Sequence, residues 1–202
     1  MKKLFLTSIT RTDKLIRMVA KKPNDIRVAF IPTAGDPYED KWFVDNDRKS
    51  FIDLGCKLID VDLKNKDLET LNELLADCDI IYVCGGNVFY LLEKMKTSGF
   101  DKIILPLLEE GVIYAGASAG AVVAGPSVEP LKLLDNPGEA PTLISYGGLN
   151  LVDFLILPHY GKEKYAEGHR VAKEQCQKMG IEALPLRDGQ SVVVENKKYE
   201  IV

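Results

Sequence analysis

Apolar positions in this 202-residue chain fall into short continuous runs, separated by stretches with helical periodicity. The runs Lys3–Thr7, Arg27–Pro32, Lys57–Val61, Ile80–Cys84, Val112–Gly116 and Phe154–Leu157 predict strands. Val192–Glu195 and Tyr199–Val202, on either side of Asn196-Lys197-Lys198, predict a terminal hairpin. Helices are expected over Asp13–Lys21, Asp40–Leu54, Leu68–Ala76, Val88–Thr97, Lys102–Glu110 and Glu163–Met179. Strands such as Ile80-Ile81-Tyr82-Val83-Cys84 are apolar throughout, which suits a strand covered on both faces. With helices between the strands, the pattern predicts an α/β chain of one domain, residues 1–202, with a mostly parallel sheet sandwiched by helices. Ligands of such sheets sit at the carboxyl ends of the strands.

Composition narrows the function classes. A chain with 46% hydrophobic and 28% charged residues is ordinary for a soluble globular protein. Its net charge of −4 argues against a nucleic-acid surface. No stretch has the length of a membrane span, and the apolar run after Met1-Lys2-Lys3 is too short for a signal peptide. Cys56, Cys78, Cys84 and Cys176 are widely spaced and read as reduced thiols of a cytoplasmic protein. Two histidines and dispersed cysteines give no metal-ligand set, and no cofactor motif is present, so neither metal nor cofactor is expected.

The candidate chemistry centres on Gly116-Ala117-Ser118-Ala119-Gly120. This is a G-x-S-x-G pattern between a strand-like run and a run of small residues, the form of a nucleophile elbow. It would lift the Ser118 hydroxyl above the sheet edge and leave the Ala119 N–H free for an oxyanion. The plainer alternative is a tight crossover with Ser118 as a helix cap. A serine nucleophile needs a base. His159 follows a strand-like run and so falls at the same edge; His169, beside Arg170 in a predicted helix, reads as solvated. Gly85-Gly86-Asn87 follows another strand and could supply a second oxyanion N–H, with Asn87 capping the next helix; a plain glycine turn or a phosphate cradle are the alternatives. For the carboxylate that orients the base, Glu129 and Asp135 both lie between Ser118 and His159, and spacing does not separate them. Glu139 and Asp153 are weaker candidates. Cys84 reads as a packing thiol.

These pieces together resemble the dipeptidase E and cyanophycinase group of serine peptidases. The resemblance is carried by Phe30-Ile31-Pro32-Thr33-Ala34, by Ile80 through Leu92 with its Gly-Gly-Asn-x-Phe-x-Leu-Leu, by the Gly116–Ala121 elbow and by Pro158-His159-Tyr160. It implies a three-layer α/β/α fold of the flavodoxin-like or class I glutamine amidotransferase-like kind. It further implies cytoplasmic serine-peptidase chemistry. The expected partner is a short peptide substrate, with no nucleic acid or membrane, and the chain is expected as monomer or homodimer. By that likeness Ser118 is nucleophile, His159 base, and Gly86 and Ala119 oxyanion donors. Asp135, before Asn136-Pro137, matches the family's acid only with extra residues after the elbow, and glutamate in other members keeps Glu129 open. The family selects an N-terminal aspartate through an arginine in the helix after the histidine; Arg170 is the one arginine of that helix here, and a surface residue is its plainer reading. A non-catalytic binding module on the same scaffold and a serine esterase are the alternative functions.

Overall fold

A computed structural model describes residues 2–64, 66–196 and 198–202. Its strands are β1 (Lys3–Thr7), β2 (Arg27–Ile31), β3 (Lys57–Asp60), β4 (Ile80–Val83), β5 (Ile113–Ala117), β6 (Phe154–Leu157), β7 (Glu182–Pro185), β8 (Ser191–Glu195) and β9 (Lys198–Ile201). The helices are α1 (Thr12–Leu15), α2 (Trp42–Asp53), α3 (Leu68–Leu75), α4 (Val88–Ser98), α5 (Phe100–Glu109), α6 (Ala119–Val122) and α7 (Ala166–Met179). Seven strands form the main sheet, in the order β3-β2-β4-β5-β1-β8-β9. The first five are parallel; β8 and β9 add an antiparallel edge, paired as the expected hairpin. Lys197 of its turn lies outside the described residues.

The two-residue period of the strands builds two cores. Leu4, Leu6, Ala29, Ile31, Ile81 and Val83 face one side and pack with α3, α4, α5 and α6. Phe5, Val28, Phe30, Ile80, Tyr82 and Cys84 face the other and pack with Leu15 of α1 and Val44 and Phe51 of α2. This is why the central strands read as unbroken apolar runs: both faces are covered. The result is a helix–sheet–helix sandwich. No helix among the described residues is long and apolar enough to cross a membrane.

The helix expected over Asp13–Lys21 shrinks to α1 and a 3-10 turn over Ile16–Met18, and two strands also depart from the sequence reading. β6 is not a strand of the main sheet; it pairs in parallel with β7 in a separate two-stranded sheet. β7 was not anticipated, because Glu182-Ala183-Leu184-Pro185 is short, ends in proline and lacks a long apolar run. The pair still serves the same edge. Leu186 N–H donates to the Leu157 carbonyl, and Tyr160 N–H to the Leu186 carbonyl, so the turns after β6 and β7 are tied together. β8 then pairs with β1, Ser191 opposite Thr7. The turn between β7 and β8 therefore sits beside Ser8, just past the end of β1.

Candidate active site

Ser118 follows β5 directly and starts α6 with φ 48° and ψ −111°. That backbone is costly for a residue with a Cβ and persists only where its surroundings impose it. Here they do. A Cβ on Gly116 would lie 2.2 Å from the Gly120 carbonyl oxygen, and one on Gly120 would lie 2.3 Å from that of Val83. Only glycine at both ends lets the chain reverse this tightly against β4. The Ser118 N–H donates to the Thr7 carbonyl at 2.9 Å, and its own carbonyl accepts from Ala121 and Val122 at 2.9 Å. The hydroxyl makes no cap. It points instead to His159, with Oγ 3.0 Å from Nε2.

The other face of His159 settles its tautomer. Nδ1 lies 2.8 Å from Asp188 Oδ1. Burial pushes the Asp188 carboxyl upward, but hydrogen bonds from Lys162, Ser8 and His159 outweigh it and hold the group at about 2. An ionised carboxylate only accepts, so the proton of His159 is on Nδ1 and the Nε2 lone pair faces the serine. Burial lowers the imidazole from its ordinary value, with Asp188 opposing, so the ring is neutral at pH 7. Ser8 fixes both partners: its hydroxyl donates to Asp188 Oδ1 at 2.7 Å and accepts from the backbone N–H of His159 at 2.7 Å. Lys162 pairs with the second Asp188 oxygen. The Tyr165 ring stacks on His159 at 5.5 Å between centroids.

Neither expected carboxylate reaches the histidine. Glu129 is exposed and paired with Lys132 at 2.8 Å. Asp135 instead accepts the Val88 N–H at 2.8 Å, at the first turn of α4. Burial raises its carboxyl to about 6, against that hydrogen bond. Glu139 meets Asn136, and Asp153 is exposed. The acid on His159 is Asp188, in the Arg187-Asp188-Gly189 turn, beyond the histidine rather than before it. In sequence it reads as a polar Asp-Gly turn; only the β7–β8 topology brings it to the site.

Arg170 is also elsewhere. It is exposed on α7, bonded to Glu167 and Glu174 one turn to either side, and lines no part of the cavity. His169, read as solvated, is buried: its ring N–H donates to the Pro158 carbonyl at 2.9 Å, supporting the turn that carries His159. Cys84 is fully buried, and burial drives its thiol far above the usual range, so it is no nucleophile.

Gly85, Gly86, Ser118, Ala119 and His159 line one cavity of about 580 Å³. Gly86 has φ +142°, and a Cβ there would lie 2.0 Å from the Ala34 carbonyl oxygen, so no other residue fits. Among the described residues, neither the Gly86 nor the Ala119 N–H has a hydrogen-bond partner in the turns around it. Asn87 caps α4, its Oδ1 accepting from Phe89 and Tyr90, and does not line the cavity. The segment after α6 closes one side through Leu131, Leu134 and Asp135.

The chain is similar to known proteins along nearly its whole length. The profile of peptidase family S51 matches residues 6–202. The chain belongs to peptidase family S51. It is 32% identical over 199 residues to the uncharacterized peptidase PM1590 of Pasteurella multocida, covering 98% of this chain and 95% of that one. It is 34% identical over 134 residues to peptidase E of a Nostoc species, covering 66% of this chain and 52% of that one. A 1.5 Å crystal structure of a provisionally named peptidase E protein from Listeria monocytogenes EGD-e superposes with a TM-score of 0.91 at 31% identity, covering 100% of this chain and 98% of that one.

Proposed function

We propose that this S51 member is a serine-type peptidase acting on short peptides, with Ser118 as nucleophile, His159 as general base and Asp188 as the orienting acid. The observation that carries the reading is the unbroken hydrogen-bonded line Ser118–His159–Asp188 at the wall of the cavity. Ser118 Oγ attacks the scissile carbonyl while His159 Nε2 takes its proton. Asp188 stabilises the imidazolium that forms. The Gly86 and Ala119 N–H groups, both without other partners, bind the developing oxyanion. His159 then protonates the leaving amine, and water, activated by the same nitrogen, releases the acyl group.

A cavity of about 580 Å³ has the size that suits a short peptide. The test is release of free amino acids from a panel of dipeptides and aminoacyl amides by the purified chain. Turnover of amides is expected. Hydrolysis confined to esters, or no turnover by folded protein, would overturn the reading.

The pH profile follows from His159. The base works only when unprotonated, and burial sets its pKa below the ordinary 6.5. Activity is therefore expected to hold level from pH 8 to 7 and to fall with a midpoint below 6.5. A midpoint above 7 in the rate profile would contradict a buried, neutral His159.

A further inference from the structure

One arm of the cavity plays no part in the chemistry above. It lies between the Ile9-Thr10 segment and α2, is lined there also by Thr10, Asn46 and Ser50, and its acidic group is Asp47. Asp47 is only 8% exposed, yet it lines the cavity. Its carboxylate is held by two hydroxyls: Thr10 on Oδ1, and Tyr82, itself buried, on Oδ2 at 2.7 Å. No lysine, arginine or histidine among the described residues forms an ion pair with it. The adjacent Arg48 turns away, onto the Phe30 ring and Asp60. Buried carboxylates are ordinarily matched by a cation or a metal. This one is matched by neither, and burial raises it to about 6 against the pull of both hydroxyls.

The walls suit a cation as well. Trp42 is 62% exposed, with Phe43 and Tyr38 in edge contact beside it, and all three rings line the cavity. Aromatic faces next to a carboxylate attract ammonium and guanidinium groups. An acidic substrate group would find less. No arginine lines the cavity; Lys162 is committed to Asp188, and Lys164 lies exposed over the Tyr165 ring.

We propose that this arm is a subsite for a cationic group of the substrate, an ammonium or guanidinium, which becomes the missing counter-ion of Asp47. The proposal rests on the peptidase reading for its substrate, but not for its test. The cation has two sources, the peptide's own amino terminus or a basic side chain. Three peptides distinguish them: Lys-Ala, norleucyl-Ala, which lacks the side-chain cation, and Nα-acetyl-Lys-Ala, which lacks the terminal one. Loss of whichever cation Asp47 holds is expected to lower wild-type kcat/KM about ten- to a hundredfold, the scale of a buried charged hydrogen bond. Asp47→Asn should erase that difference.

Binding is measured separately, in the Ser118→Ala background, by calorimetry with L-lysinamide. Asp47→Asn should weaken it at least tenfold. The variant should also melt higher than its parent at pH 8, because it removes an unmatched buried charge, which excludes misfolding as the cause. Peptides discriminated less than twofold in the wild type, or lysinamide binding unchanged by Asp47→Asn, would overturn the subsite. Absence of peptide turnover with Asp47-dependent lysinamide binding would instead overturn the peptidase reading and leave the subsite standing.

Discussion

Ser118→Ala is expected to lower kcat on any peptide the wild type cleaves by about 10⁶-fold, the scale at which loss of a nucleophile leaves only the oxyanion donors and binding. The structural cost should be small. Among the described residues the hydroxyl hydrogen-bonds to His159 at 3.0 Å, and losing that bond is worth about 1 kcal/mol. The backbone offers a second test. At φ 48° and ψ −111°, Ser118 carries about 1–3 kcal/mol of strain. Ser118→Gly relieves that strain while adding about 1 kcal/mol of chain entropy in the unfolded state. It should therefore be as inactive as Ser118→Ala and at least as stable. Thermal melts of the three proteins, beside their rates, check both halves. An alanine variant within tenfold of the wild type would remove Ser118 from the mechanism.

Asp188→Asn carries the second largest effect, about 10⁴-fold in kcat. An asparagine amide can donate to His159 Nδ1. The ring then carries its proton on Nε2, facing Ser118, where no proton can be accepted. The charge that balances the imidazolium is lost as well. Glu129→Gln, which touches only an exposed pair with Lys132, is expected to change the rate less than twofold. Measuring both variants against the wild type separates the acid on the histidine from Glu129, one of the two that the chain order left open. Equal loss in both, or loss in Glu129→Gln alone, would contradict the geometry.

The contrast between these carboxylates marks where the sequence stops being readable. Ser118 was legible because it ends an apolar run of the parallel sheet; His159 also ends an apolar run, but β6 lies outside that sheet and reaches the same edge through the ties between the turns after β6 and β7. The strand boundaries of β1 and β6 match the expected ranges, and the other expected strands differ only by a residue or so at an end. Asp188 was not legible. Its placement depends on β7, which has no hydrophobic signature, and on β8 returning beside β1, which is a long-range pairing. The expected order of serine, acid and histidine places the acid before His159, whereas Asp188 lies beyond it. His169 looked like a surface residue because it precedes Arg170, but it lies on the face of α7 turned toward the His159 turn, while Arg170 points to solvent. Asp47 gave no signal at all: its burial comes from Tyr82 and Thr10, distant in sequence, closing over one side of α2.

The most direct test of the account is the intact mass of the wild-type chain after treatment with a fluorophosphonate, followed by peptide mapping. One phosphonyl group per chain, located on Ser118, absent from Ser118→Ala and formed far more slowly in Asp188→Asn, is the predicted result. No adduct on folded protein, or an adduct on a residue other than Ser118, would contradict it.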